Sequence, residues 1–191
     1  AVPPGSTVID PPLPTLLFVG RLRYYKGLDM LINALPAIAA RAVIVGSGPM
    51  REEWQALAKG RNVADKIAWL GEVPDADLPT LYHLADLFVL PATHTSEAFG
   101  LVQVEAMASG LPSVCTELGT GTSWVNVHGQ TGLVVPPHDP NALATAINSL
   151  LNDPDRLNTM ALAAQVRART EFTVRQMIDR VYAVYESLME H

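Results

Sequence analysis

Short apolar runs alternate with longer amphipathic stretches along most of this chain. Six runs of four or five residues have the length and composition of strands that are buried on both faces. Between the first two runs, apolar residues recur three and four positions apart at Leu28, Leu31, Ile32, Leu35 and Ile38, which predicts a helix. The predicted strands are residues 16–20, 42–45, 67–70, 87–90, 113–116 and 132–135.

Helical patterns follow nearly every predicted strand. Pro36 lies inside the first helix and is expected to kink or shorten it, and Gly110 is expected to cap the fourth. Buried strands that alternate with helices indicate an α/β fold, a Rossmann-like parallel sheet with helices on both faces. The predicted helices are residues 26–40, 50–59, 77–84, 99–109, 141–151, 154–170 and 173–189.

The first fourteen residues differ from the rest, because five of them are proline and no apolar period is present. This composition predicts an extended linker over residues 1–14, followed by one domain over residues 15–191. We expect a further segment before the linker. An ordinary proline-rich tail is the alternative.

Composition excludes several classes of protein. Hydrophobic residues make up 49% of the chain and charged residues 17%, which excludes disorder. A net charge of −6 argues against broad contact with nucleic acids or anionic membranes. Cys115 is the one cysteine, so neither a disulfide within the chain nor a cysteine-only metal site can form. The longest apolar runs are far too short to span a membrane.

The loop after the first predicted strand is rich in positive charge. In such sheets ligands bind beyond the carboxyl ends of the strands. Arg21, Arg23 and Lys26 lie within six residues of this strand end, in a chain with only 13 lysines and arginines. Guanidinium and ammonium groups together can hold a diphosphate. A solvated basic turn is the alternative.

The loop after the second strand contains Gly46 and Gly48. It resembles the start of a dinucleotide-binding fingerprint, but Arg51 occupies the place of the third glycine, and no Gly-Lys-Ser/Thr sequence follows. The glycines allow a ligand to approach the backbone closely. A plain tight turn is the alternative.

The loop after the fourth strand joins two carboxylates to a helix start. Glu97 precedes the predicted helix, Gly100 stands where it begins, and Glu105 follows Glu97 by eight residues. Helix N-termini attract anions, and residues i and i+8 share roughly one helix face, so both carboxylates could accept hydrogen bonds from sugar hydroxyls. In the alternative, Glu97 only interacts with the helix dipole and Glu105 lies on a solvated helix face.

Three segments together resemble one enzyme family. The run SEAFGLVQVEAMASGLP, residues 96–112, resembles the E-x7-E signature of the family 4 retaining glycosyltransferases. GRLRYYKG, residues 20–27, is similar to that family's phosphate-binding loop. TGLVVPP at residues 131–137 and the following Asp139-Pro140 match its closing strand and turn. The resemblance covers residues 15–185.

The resemblance implies roles for individual residues. Arg21 and Lys26 would bind the diphosphate of the sugar donor, Glu97 would contact the transferred sugar, and Glu105 would bind the ribose hydroxyls. Arg21, Lys26 and Glu97 are thus the implied catalytic residues, and the nucleobase would lie near residues 71–73. The other implied donor-binding residues are Gly20, Gly46, Gly48, Val73, Phe99, Gly100 and Leu101.

The resemblance also implies an architecture and a reaction. The family's GT-B fold has two Rossmann-like domains, and this chain resembles the second, donor-binding one, without the N-terminal acceptor domain. The implied reaction transfers a sugar, with retention, from a nucleotide-diphosphate sugar in glycan or glycolipid biosynthesis, and it needs no metal or other cofactor. Four of the five histidines, at 83, 94, 128 and 138, are too scattered in sequence to suggest a metal site.

One loop departs from the family. Where many members have Gly-Gly and then Pro-Glu, this chain has ELGTGTSW at residues 117–124. Glycine amides and hydroxyls in residues 119–122 still offer contact to an anion. A purely structural loop is an equal alternative.

Two other functions are compatible with parts of the sequence. A non-catalytic nucleotide-sugar-binding module is one alternative, and a nicotinamide-dependent dehydrogenase is the other. The missing third glycine and the lack of an acidic residue after residues 67–70 argue against the dehydrogenase.

Expected partners are the nucleotide sugar and the acceptor domain, with no nucleic acid. The whole enzyme is expected in the cytoplasm, with membrane contact only through the acceptor domain, and this domain alone is expected to be inactive.

Overall fold

A computed structural model describes residues 13–189 of the chain, so the predicted linker lies almost entirely outside the described residues. Six parallel strands form one sheet in these residues, in the order β3-β2-β1-β4-β5-β6. Each strand begins and ends within one residue of its predicted position. The strands are β1 (Thr15–Val19), β2 (Arg41–Val45), β3 (Ile67–Gly71), β4 (Leu87–Leu90), β5 (Ser113–Thr116) and β6 (Gly132–Val135).

The helices follow the predicted pattern with two corrections. The first spans less than the predicted residues 26–40, and the expectation that Pro36 shortens it is confirmed, because the proline lies in a 3₁₀ turn, Leu35–Ala37, that replaces its last turns. A short helix at Gly121–Val125 occupies part of the predicted turn after β5. The helices of the described residues are α1 (Leu28–Ala34), α2 (Arg51–Gly60), α3 (Leu78–Leu84), α4 (Leu101–Ala108), α5 (Gly121–Val125), α6 (Pro140–Leu151), α7 (Pro154–Glu171) and α8 (Val174–Met189).

The central strands are covered on both faces. Leu16 and Phe18 of β1 pack in one apolar cluster with side chains of α1, α2 and α6, whereas Leu17 and Val19 pack in another with side chains of α3 and α4. Burying one such leucine or phenylalanine contributes about 1.5–3 kcal/mol. The predicted Rossmann-like α/β fold is therefore confirmed. Strand β3 is an exception to full burial, since at the sheet edge it leaves Leu70 half exposed.

The strand order fixes where a ligand can bind. Strand β1 pairs with β2 on one side and with β4 on the other, so the chain direction across the sheet reverses between β1 and β4. Loops that leave β1 and β4 diverge to opposite faces and open a crevice at their carboxyl ends. Those two loops carry the basic segment and the Glu97 segment.

The C-terminal helix α8 has an apolar face that no described residue covers. None of its residues is buried, and no helix of residues 13–189 is long and apolar enough to cross a membrane. The exposed large apolar side chains of α8 are Val174, Met177, Ile178, Val181, Tyr182, Val184, Tyr185, Leu188 and Met189.

The thiol of Cys115 reports on the integrity of the sheet. It lies fully buried on β5, and burial raises its pKa from 9.0 to about 12. Because the neutral thiol is favoured well above neutrality, the reactive thiolate is scarce at about pH 8. We expect Ellman's reagent to modify the native chain roughly a thousandfold more slowly than the chain in concentrated guanidinium. Rapid, complete modification of the native chain would contradict the buried position.

Candidate functional site

The crevice between β1 and β4 contains a buried ion pair. Lys26 Nζ lies 2.5 Å from Glu97 Oε2, and the two side chains are only 11% and 9% exposed. The carbons of the Lys26 side chain extend across Gly20, about where a Cβ on that glycine would make van der Waals contact. Two charges buried at this depth each require the other, because removing one partner leaves the second without compensation.

The backbone around Lys26 joins the two loops. Lys26 ends a 3₁₀ turn, Tyr24–Lys26, and Gly27 follows in the left-handed conformation with φ 63°. The Thr93 amide, in the loop after β4, donates to the Tyr25 carbonyl at 2.9 Å. The sequence prediction placed a helix start at Lys26, whereas the structure begins α1 at Leu28 and leaves the lysine at the crevice.

Gly46 and Gly48 let the second loop pack directly on the first. A Cβ on Gly46 would lie 2.0 Å from the Gly20 carbonyl oxygen, and one on Gly48 would lie 2.3 Å from that of Leu22. Hydrogen bonds from the Gly20 amide to Val45 and from the Leu22 amide to Ser47 complete this contact. The glycines thus serve a tight packing of loops, and their contact with a donor stays a prediction.

The first turn of α4 directly follows the loop that carries Glu97. Gly100, with φ 76°, precedes the helix, and the amides of Leu101 and Val102 have no acceptor within the helix. Such amides carry partial positive charge and bind anions. The Phe99 ring packs on Trp124 and Phe172, with ring centroids 6.0 and 6.1 Å away, so its backbone is the part that remains for a ligand.

The two carboxylates of the E-x7-E segment have different partners. Glu97 precedes α4, which begins only at Leu101, so the argument that it shares a helix face with Glu105 was wrong. Glu105 is exposed, and its Oε2 accepts a hydrogen bond of 2.7 Å from the Tyr82 hydroxyl. It lines a pocket of about 420 Å³ between α3 and α4, together with Asp75 and Leu78.

Tyr82 was missed by the sequence analysis, because nothing in the sequence links it to a carboxylate 23 positions away. Burial, the hydrogen bond to Glu105 and the negative charge of Glu105 all raise its pKa far above the ordinary value of 10. The hydroxyl therefore stays protonated at physiological pH. It keeps donating to one Glu105 oxygen and leaves the other oxygen available to a ligand.

Arg21 and Val73 lie in different loops, which follow β1 and β3. The Arg21 side chain is exposed, and among residues 13–189 it forms no ion pair. Val73 packs partly buried against the apolar cluster that contains Tyr82. Beside it, the Ser47 hydroxyl donates to the Glu72 carboxylate, which joins the loops after β2 and β3.

The structure brings together two of the four histidines in residues 13–189. The rings of His94 and His138 lie 5.9 Å apart, and His94 also packs edge-on against Tyr24 at 5.1 Å. Both residues are exposed, in the loops that follow β4 and β6. Within the described part of the chain, no three His, Cys, Asp or Glu side chains gather as metal ligands, although Asp-x-Asp triplets occur at residues 75–77 and 153–155.

Comparisons with known proteins identify relatives. Residues 4–167 match the sequence model of the family Glycosyl transferases group 1. D-rhamnosyltransferase WbpZ of Pseudomonas aeruginosa is 42% identical over 157 residues, which are 82% of this chain and 41% of that protein. O-antigen chain mannosyltransferase C of Escherichia coli is 36% identical over 174 residues, which are 91% of this chain and 47% of that protein.

A solved structure has the same fold. The crystal structure of Anabaena HepE in complex with UDP superposes with a TM-score of 0.83 and 28% sequence identity, over 91% of this chain and 48% of that one. The chain thus spans less than half the length of each of these three proteins. The family match leaves the dehydrogenase alternative without support and confirms the resemblance that the motifs indicated: the chain belongs to the Glycosyl transferases group 1 family.

Proposed function

We propose that this chain is the donor-binding half of a retaining glycosyltransferase that takes its sugar from a nucleotide-diphosphate sugar. The acceptor-binding half would be a second domain, N-terminal to residues 1–14, which would form the linker. The observation that carries the proposal is the buried Lys26–Glu97 pair beside the first turn of α4, at the crevice between β1 and β4. This arrangement provides positive groups for a diphosphate and a carboxylate for a sugar hydroxyl.

The diphosphate would bind where the positive groups converge. Three kinds of hydrogen-bond donor are available: the Lys26 ammonium, the exposed guanidinium of Arg21 and the first amides of α4. Within residues 13–189, Lys26 is paired with Glu97 and Arg21 forms no ion pair. When the bond between the sugar C1 and the phosphate oxygen breaks, the electron pair stays with the diphosphate. Fixed donors stabilise that growing charge, and each one contributes about 3 kcal/mol to lowering the barrier. These groups supply the charge compensation, so we propose no metal and no other cofactor.

Glu97 would change partner when the donor binds. Without a ligand its carboxylate neutralises Lys26, because no other carboxylate of residues 13–189 forms an ion pair with the buried ammonium. A diphosphate bound to Lys26 would neutralise the ammonium in place of Glu97. The Glu97 oxygens could then accept hydrogen bonds from hydroxyls of the transferred sugar. Glu97 is thus proposed as a sugar-binding group and not as a nucleophile.

The nucleoside would extend toward α3. The free oxygen of Glu105 would accept a ribose hydroxyl, while Tyr82 holds the other oxygen in place. The pocket beside Glu105 is of a size for a ribose and part of a base. The base would lie over the backbone at residues 71–73, where Val73 fixes the loop through its apolar contacts.

The relatives guide the choice of donor. The names of WbpZ and mannosyltransferase C indicate hexosyl groups and an O-antigen chain, and HepE was crystallised with UDP. We therefore propose a hexosyl donor and a role in glycan or glycolipid synthesis; UDP is one candidate carrier, and GDP is another, since a related mannosyltransferase of Mycolicibacterium smegmatis is named as GDP-mannose-dependent. The whole enzyme would act in the cytoplasm and touch the membrane only through its acceptor domain.

The acceptor domain would also cover α8. The apolar face of this helix is exposed along its whole length, and it is continuous with a groove that contains Phe99, Leu101 and Trp124. Because the acceptor-binding groups would belong to that domain, the present chain is proposed to bind donor without turning it over. A module that binds nucleotide sugars without catalysis is the second candidate, since the chain spans less than half of its relatives.

Binding of donors tests the proposal directly. Calorimetry with UDP, GDP, UDP-glucose and GDP-mannose should find one nucleotide that binds, and its sugar conjugate should bind more tightly. Lys26→Met should weaken both ligands by about tenfold to a hundredfold, because a charged hydrogen bond to phosphate is lost. Glu97→Gln should leave the free diphosphate at least as tightly bound, since its competitor for Lys26 is gone, and should abolish the gain from the sugar.

Lys59→Met is the matched control, because Lys59 is exposed at the end of α2. It should bind like the parent chain. Unchanged nucleotide affinity in Lys26→Met would contradict the proposed site, and an equal loss for both ligands in Glu97→Gln would contradict the sugar role. Transfer assays on the full-length protein separate a transferase from a binding module.

The stability of the ligand-free chain tests the ion pair itself. Lys26→Met and Glu97→Gln should each lower the free energy of unfolding, because each leaves a buried charge without its partner. The double variant should lose less than the two single losses together, with a coupling of about 2 kcal/mol in urea unfolding. Strictly additive losses would show that the two groups do not interact in solution.

A further inference from the structure

The loop between β5 and α5 lies against the backbone that carries Glu97. The Thr120 hydroxyl donates to the Glu97 carbonyl oxygen at 2.9 Å, and the Gly121 amide donates to the Ala98 carbonyl oxygen at 2.7 Å. Two consecutive residues of one loop thus bind two consecutive carbonyls of the other. This is the loop that departs from the family pattern and whose role the sequence left open.

The contact is too close for a side chain at position 121. A Cβ there would lie 2.8 Å from the Ala98 carbonyl oxygen and 2.9 Å from the Phe99 ring. Glycine is therefore the residue that allows the two backbones to meet. The approach also brings the Thr120 hydroxyl within reach of Glu97.

The loop is itself held from the far side. Gln103, fully buried in α4, donates from Nε2 to the Thr122 carbonyl oxygen at 3.3 Å. The Thr122 hydroxyl reaches the Thr116 carbonyl oxygen at 3.4 Å, and the Thr116 hydroxyl donates to the Ala92 carbonyl oxygen. The Glu97 segment is thus bound to an anchored loop.

The Glu97 carboxylate has one charged partner in the described residues, the Lys26 ammonium. Its Oε2 is in ion contact with Lys26, yet no donor in the described residues approaches that buried oxygen with hydrogen-bond geometry. Once a donor diphosphate takes its place on Lys26, as proposed above, the position of the carboxylate depends on its backbone. Displacement of such a group by about 1 Å can cost a hundredfold in a reaction.

We propose that Thr120 and Gly121 are positioning residues, which hold the Glu97 backbone so that its carboxylate meets the transferred sugar. They act through Glu97 and touch neither the diphosphate nor the nucleoside. This inference rests on the proposed function of Glu97. It predicts that damage to the loop affects recognition of the sugar and leaves recognition of the nucleotide intact.

Thr120→Val removes the hydroxyl and keeps the shape, Thr120→Ser keeps the hydroxyl, and Thr145→Val is the control. Thr145 is an exposed α6 residue whose hydroxyl bonds only within its own helix. Calorimetry on the 191-residue chain gives the affinity for the free nucleoside diphosphate and for its sugar conjugate. The gain in affinity from the sugar should fall at least about fivefold in Thr120→Val, because the hydroxyl loses its hydrogen bond to Glu97 and its 3.2 Å contact with the Thr122 hydroxyl, with the diphosphate affinity unchanged.

Thr120→Ser should restore the gain in affinity that the sugar brings over the free diphosphate, and Thr145→Val should leave that gain unchanged. An unchanged gain in Thr120→Val, or an equal loss for both ligands, would overturn the positioning role. Amide hydrogen exchange of residues 96–100 gives a readout that needs no ligand, and it should accelerate in Thr120→Val alone. If the parent chain binds no nucleotide the proposed function fails, while unchanged exchange in Thr120→Val overturns this inference by itself.

Discussion

The crevice of this protein is organised by the need to compensate one buried positive charge. Lys26 lies almost wholly out of water, and an ammonium in that position is costly unless an anion is in contact with it. Glu97 meets that need in the ligand-free chain. A pyrophosphate could meet it too, and the exposed Arg21 and the first amides of α4 would favour it. In the proposed function, the same need for an anion would prepare the site for a charged ligand.

The topology brings the two charges together across a long stretch of chain. Residues 26 and 97 lie in loops that follow β1 and β4, which are neighbours in the sheet although two strands separate them in sequence. Around the pair, backbone contacts fix four loops on one another: the loop after β2 packs on the loop after β1 through Gly46, and the β5–α5 loop holds the Glu97 segment through Gly121. The site is thus a property of the strand order and of close backbone contacts between loops.

The sequence predicted what depends on local pattern. Buried runs such as 87–90 fixed the strands to within one residue, and the family motifs singled out Lys26 and Glu97. The pairing of those two residues was not predicted, because it depends on which strands are neighbours. The expectation that Glu97 and Glu105 share one helix face was wrong, because α4 begins four residues after Glu97. The contacts of Tyr82 and Thr120 join distant segments, and no local pattern encodes them.

A crystal structure of this chain with a nucleotide-diphosphate sugar tests the central claim most directly. The account predicts the diphosphate within about 3 Å of Lys26 Nζ and of the first amides of α4, with Glu97 turned from the lysine to a hydroxyl of the sugar. A donor bound elsewhere, or bound here with the Lys26–Glu97 pair still closed and the diphosphate out of its reach, would contradict it.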